Sequence, residues 1–130
     1  MSNLVLNLRP GEVMVINGAP IRFRTPTSLE LTAHARFLFG KQVMAPAEAN
    51  TPARRIYFAL QTAYIGSEEE RPAGLVAARE LSAKFKDATT SALAKDILDR
   101  AIAEAEADHG YAALKMARRI IRHEDTILAG

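Results

Sequence analysis

Residues 4–21, LVLNLRPGEVMVINGAPI, read at a strand period of two, with Leu4, Leu6 and Leu8 on one phase and Val13 and Val15 on one phase, and are interrupted by two turn words, Arg9-Pro10-Gly11-Glu12 and Asn17-Gly18. A period of two places successive side chains on opposite faces of an extended chain, so the stretch predicts a small β-meander. Beyond about residue 50 the code changes, and apolar residues recur three and four positions apart as on a helix face. The chain is therefore predicted to be α+β. An antiparallel β-sheet module, a meander or small barrel, occupies residues 1–48, and a helical module of about four helices occupies 49–130.

The strands are predicted at Leu4–Leu8, Val13–Ile16, Ala19–Phe23, Ser28–Thr32 and Arg36–Phe39, with a short sixth at Gln42–Met44. Pro10 presets φ and Gly11 allows positive φ in the first turn. Asn17-Gly18 is a type I′ hairpin signal. Pro20 lacks an N–H and sends the third strand to a sheet edge. Leu4, Leu6, Leu8, Val13, Val15, Ile21, Phe23, Leu29 and Leu31 are the candidates for the core face, their sharing of it depending on register.

Thr51-Pro52 reads as an N-cap and first helical residue, where the missing proline N–H costs nothing. The first helix should run from Pro52 to about Ile65 and stop at Gly66, with Ile56, Leu60, Ala63 and Tyr64 as its stripe. Ser67 caps an acidic turn, Glu68 to Glu70, and Pro72 and Gly74 make that start irregular. The second helix then covers about Leu75–Asp87, with Leu75, Ala78, Leu81, Ala83 and Phe85 as a looser stripe. The third follows the Thr89-Thr90-Ser91 cap to about Asp108, burying Leu93, Ile97, Ala101, Ile102 and Ala105. The fourth spans about Tyr111–Leu128, burying Leu114, Ala117, Ile120, Ile121, Ile127 and Leu128. Helices this short need packing partners, which predicts a helical hairpin or bundle.

At 130 residues and 48% hydrophobic the chain can bury a core as one domain or two very small ones. It holds no Cys, which excludes disulfides and cysteine zinc sites. The first residues carry no signal-peptide pattern and no apolar run has membrane-spanning length, so a soluble cytoplasmic protein is expected. Formal charge is +2, unevenly placed. Residues 1–60 hold seven basic residues against three acidic ones, a net of +4, and the remainder is at −2. An anionic partner would meet the first half.

No catalytic pattern emerges. His34, His109 and His123 have no ligand-spaced partner, and the last two lie near helix ends, where positive charge suits the dipole. The carboxylates Asp96, Asp99, Glu104, Glu106 and Asp108 interleave with Lys95 and Arg100 as a solvated helix face would. No phosphate loop or nucleophile motif is present. No enzyme activity, metal or cofactor is expected.

Cations stand beside rings in Arg22-Phe23-Arg24, in Arg36-Phe37 with Phe39-Gly40-Lys41, and in Arg54-Arg55-Ile56-Tyr57-Phe58. Single-stranded RNA is read by rings that stack on bases and by Arg and Lys on phosphates. Strand alternation alone would instead place the rings in the core and the cations on the other face. The residues leave both readings open.

Three words together resemble the FlbT family, flagellar post-transcriptional regulators of flagellin synthesis. They are LVLNLRPGEVMVINGAPI, TPARRIYFALQTAY and YAALKMARRIIRHED, the last standing where the family carries a Tyr-, Ala- and Leu-rich final helix ending in an acidic pair. The resemblance covers essentially the whole chain, with residues 24–48 and 66–106 matching in order alone. It implies a cytoplasmic regulator that acts on flagellin mRNA through the 5′ untranslated region, altering stability or translation. It also implies work beside FlaF, a partner linked to flagellin synthesis and secretion. Leu-Arg-Pro-Gly-Glu further looks like the opening of CsrA-type RNA-binding proteins, small β-sheet dimers that grip a GGA-containing loop. Those chains carry basic residues on the first strand, whereas Leu4–Leu8 has Asn7 as its only polar residue. Candidate RNA contacts are therefore Arg9, Arg22, Arg24, Arg36 and Lys41, with Arg54 and Arg55 beyond the sheet. The alternative is an adaptor or chaperone for flagellin or FlaF that affects flagellin synthesis indirectly, motivated by apolar stripes that could take a partner helix. Exposed sheet edges predict a homodimer.

Overall fold

The computed structural model describes residues 4–33 and 35–129, so His34 lies outside the described residues. It has a sheet region followed by four helices, in two compact units that divide between Val43 and Met44.

The sheet unit contains β1 (Leu4–Leu8), β2 (Val13–Ile16), β3 (Ala19–Arg22), β4 (Thr27–Leu31) and β5 (Phe37–Phe39). The expected meander is corrected at its first turn. β1 pairs antiparallel with β4, while β2 sits between β3 and β5. The Arg9–Glu12 turn does close, Glu12 N–H donating to Arg9 O at 3.1 Å, but its next bonds go to Phe23: Gly11 N–H to Phe23 O at 2.7 Å and Phe23 N–H to Glu12 O at 3.0 Å. The turn thus carries the chain from one sheet to the other, and Leu6, Leu8 and Met14 form a buried cluster. Ile16, Phe23, Leu29, Leu31, Phe37 and Phe39 pack against it.

The inward phase of β2 is therefore Met14 and Ile16, not Val13 and Val15. Met14 stands opposite Ile21 and Phe39, and Ile16 opposite Phe37, so these share a face. Leu4 and Ile21, also expected inside, are 46% and 40% exposed at strand ends and edges. The Asn17-Gly18 hairpin forms as expected, with φ of 47° and 85°, and β3 with Pro20 is an edge strand. The expected sixth strand is absent: Gly40–Gln42 is a 3₁₀ turn, because Gly40 turns the chain with φ +58°.

The helical unit contains α1 (Pro52–Ile65), α2 (Glu70–Ala88), α3 (Ala92–Glu106) and α4 (Gly110–Ala129). α1 packs against α2 and α4, and α3 packs against α4. Its connector is held by Gln61 of α1, whose amide accepts from Met44 N–H at 2.8 Å and donates to Met44 O at 2.9 Å. This pairing explains why a buried glutamine sits in an otherwise apolar helix face.

α2 begins five residues before the expected Leu75. Pro72 lies in its first turn, where no intrahelical N–H is needed. Gly74 is buried at the α1 crossing, where a Cβ would stand 2.9 Å from Ala59 O and 2.7 Å from Ala63 N. In α3, Ala94 and Leu98 are buried, while Leu93, expected inside, is 60% exposed. In α4 the stripe Ala113, Leu114, Ala117, Ile120 continues to Glu124 rather than to apolar residues. Ile127 and Leu128, expected inside, are 62% and 67% exposed. Beyond Glu124 the α4 stripe is exposed.

Candidate nucleic-acid interface

The register of the sheet unit sorts the candidate cations. Phe23 turns inward, so Arg22 and Arg24 on either side of it point outward and are exposed. The two backbone bonds from the Arg9–Glu12 turn to Phe23 bring exposed Arg9 to the same end. β5 runs back along β2 and places Phe39 opposite Met14. Gly40 then comes up against Glu12, where a Cβ would stand 3.0 Å from Oε2, and exposed Lys41 follows. Arg9, Arg22, Arg24 and Lys41 thus gather at the Glu12 end of β2. Glu12, the carboxylate among them, accepts Arg9 N–H at 2.9 Å.

Arg36 lies at the opposite end, beside Asn17, four strand steps from Val13 or about 13 Å away. Its N–H donates to Asn17 Oδ1 at 3.2 Å and its carbonyl accepts Asn17 N–H at 2.9 Å.

The rings do not share this surface. Phe23, Phe37 and Phe39 pack against Leu6, Leu8 and Met14, and the Phe37 and Phe39 rings stack with centroids 6.5 Å apart. Of the two readings left open by the sequence, the sheet unit follows the second: strand alternation sends Phe23, Phe37 and Phe39 toward the core as it sends Arg22 and Arg24 outward. Tyr57 is 2% exposed within the helical unit. Its hydroxyl accepts from Arg118 Nη2 at 3.1 Å, and the guanidinium lies 5.0 Å from its ring centroid. Burial pushes the Tyr57 phenol pKa up, opposed by the Arg118 charge.

Arg54 and Arg55 open α1 and have different surroundings. Thr51 Oγ1 accepts Arg54 N–H at 3.2 Å, and Thr51 O accepts Arg55 N–H at 2.9 Å. Ala53 N–H goes to Glu124 Oε2 of α4 at 2.9 Å, and Pro52 has no N–H to satisfy. The Arg54 guanidinium sits on Asp125, 3.1 Å from Oδ1. The acidic pair of the HED word therefore holds the start of the TPAR word. Sequence reasoning misses this contact, since a Glu-Asp pair near a helix end looks solvated.

Arg55 is exposed beside a groove of about 420 Å³. α2 lines it with Leu81, Lys84 and Phe85, and α4 lines it with Glu124, Ile127 and Leu128. Oε1 of Glu124 is buried with no hydrogen-bond partner among the described residues.

Carboxylates of α3 lie on ion pairs, Asp96 with Arg100, Asp99 with Lys86 and Glu106 with Arg79, and Glu104 Oε2 stands 2.9 Å from His109 Nδ1. Among the described residues no group of three or more His, Cys, Asp or Glu is placed to hold a metal ion. No helix among them is long and apolar enough to cross a membrane.

The family model described as flagellar protein FlbT matches residues 4–128. The chain is 36% identical to the probable flagellum biosynthesis repressor protein FlbT of Mesorhizobium japonicum, over 99% of this chain and 87% of that protein. It is 32% identical to the protein of the same description from Chelativorans sp., over 95% of this chain and 85% of that one. No solved structure matches. Matched from its first described strand into its last helix, the chain belongs to the FlbT family of flagellar proteins.

Proposed function

We propose that this protein regulates flagellum synthesis from the cytoplasm by binding the 5′ untranslated region of flagellin mRNA and altering its stability or translation. The observation that carries the reading is the gathering of Arg9, Arg22, Arg24 and Lys41 at one end of the sheet unit. Relatives described as flagellum biosynthesis repressors supply the process. Four outward cations with inward rings suit the phosphate backbone, so affinity is electrostatic and base selection comes from the shape of the RNA. Arg36, at the far end of β2, extends the track for a longer RNA. Arg54 contributes less, since Asp125 already holds its guanidinium. Binding of a flagellin leader RNA, measured by titration, should be lost on reversing Arg22 and Arg24 together to Glu. Unchanged affinity in that double variant would overturn the site.

The exposed edge strand β3 also supports a homodimer, in which a second subunit pairs with or covers that edge. A monomeric mass by light scattering at micromolar concentration would remove it.

The groove between α1, α2 and α4 favours a second reading, an adaptor for flagellin or FlaF that influences flagellin synthesis through protein contact. Purified protein that shifts no leader RNA yet retains flagellin or FlaF would establish it over the first.

A further inference from the structure

Three helices each turn one stripe toward the groove. α2 contributes Leu81, Lys84 and Phe85, which lie on one face at i, i+3 and i+4. α4 contributes Glu124, Ile127 and Leu128 at the same spacing. α1 contributes Arg55, one turn in from Pro52. These side chains leave an open groove, into which one more helix could pack ridges into grooves. Ile127 and Leu128 are 62% and 67% exposed and, with Leu81 and Phe85, form the apolar floor of the groove.

Charge selects the occupant. Arg55 and Lys84 have no ion-pair partner among the described residues, and both border the apolar floor. The buried, unpartnered Oε1 of Glu124 adds an acceptor on the same floor. We infer that this groove docks an amphipathic helix of a partner protein, one whose apolar stripe is flanked by Asp or Glu and carries a hydrogen-bond donor toward Glu124. The inference rests on the adaptor reading and names its surface.

A second copy of this chain fits poorly. The exposed face of its α4 would bring Arg119 and Arg122 toward two cations, and the acidic face of α3 is already occupied by ion pairs within the unit. RNA would find phosphate partners in Arg55 and Lys84 but would meet apolar side chains and a carboxylate between them.

The test is fluorescence anisotropy of the full-length protein with two labelled helical peptides, identical in a Leu stripe at i, i+3, i+4 and i+7 and flanked by Glu in one and Lys in the other. The Glu-flanked peptide should bind at least about tenfold more tightly, as charge complementarity at a docking rim dictates. Arg55→Glu with Lys84→Glu should reverse the preference. Ile127→Glu with Leu128→Glu should abolish binding of both peptides with an unchanged circular dichroism spectrum, since both side chains are exposed. Binding of neither peptide, equal binding of both, displacement by leader RNA, or loss of a dimer in the Ile127 and Leu128 variant would each overturn the proposal. If wild-type protein retains flagellin or FlaF and both groove variants retain it equally, the adaptor reading stands and the groove assignment falls.

Discussion

Glu124 of α4 accepts the backbone N–H of Ala53, the second residue of α1, at 2.9 Å. The two residues are 71 positions apart, so a carboxylate near the end of the chain completes the first turn of the first helix. It does so where the helix dipole favours negative charge. Thr51 satisfies the next two N–H groups, and Pro52 removes the one that would have stayed open. Two of the sequence words that mark the family are thereby one structural joint.

Glu124→Ala should destabilise the protein by about 1–3 kcal/mol, because the Ala53 N–H stays buried without an acceptor. Thermal unfolding reads the loss as a lower Tm, by roughly 4–8 °C per kcal/mol for a unit of this size. Wild-type stability in this variant would mean that Glu124 is not the cap.

The adjoining pair, Arg54 with Asp125, is half-exposed, and its contribution is correspondingly small. A double-mutant cycle on Arg54→Ala and Asp125→Ala should give a coupling below about 1 kcal/mol that shrinks with salt. The Arg54→Ala variant should bind leader RNA with the wild-type salt dependence. A clear fall in RNA affinity would return Arg54 to the interface.

Gly74→Ala sets two known effects against each other. Alanine in a helix interior is favoured over glycine by about 1 kcal/mol. Here, however, its Cβ would stand 2.7 Å from Ala63 N and 2.9 Å from Ala59 O, and backbone atoms of a packed helix cannot give way cheaply. Forcing α1 and α2 apart should cost about 1–3 kcal/mol and override the propensity gain. Denaturant unfolding should show a lower midpoint, and a higher one would mean that the helices separate freely.

Ser67 and Glu70 satisfy each other ahead of α2: Ser67 N–H donates to Glu70 Oε1 at 3.0 Å and Glu70 N–H to Ser67 Oγ at 3.2 Å. The Ser67 backbone bond, then its side-chain bond, lowers the Glu70 carboxyl below its ordinary value of 4.5. A carboxylate lowered on folding stabilises above that ordinary value, and its contribution fades as pH falls through 4.5 toward the lowered pKa. Glu70→Ala should therefore lower Tm near neutral pH, and the gap to wild type should narrow as the solution is acidified. A gap that does not depend on pH would contradict the capping box.

Elements that local physics decides alone are legible in the residues themselves. Asn17-Gly18, Thr51-Pro52 and Ser91 set their turns and caps through backbone preferences, and each stands where expected. The phase of β2 is not legible, because VMVI is apolar at every position and only pairing with β3 and β5 selects Met14 and Ile16. The β1–β4 pairing is hidden for a related reason: the Arg9–Glu12 turn suits both a hairpin and a crossover. Ile127 and Leu128 fit the α4 stripe as a periodicity, but periodicity does not say where along a stripe burial ends. For the candidate site, the residue types and their neighbours single out the cations. Only the bonds to Phe23 and the approach of Gly40 to Glu12 bring Arg9, Arg22, Arg24 and Lys41 together and leave Arg36 apart.

The most direct test of the central claim is the salt dependence of flagellin leader RNA binding, compared between wild type and the Arg22→Gln, Arg24→Gln double variant. Each phosphate contact on a single strand contributes a slope of about −0.7 in log K against log salt. Four cations predict a wild-type slope of about −3, and loss of two should reduce its magnitude by about 1.4. A wild-type slope near zero, or one that the double variant leaves unchanged, would contradict the account.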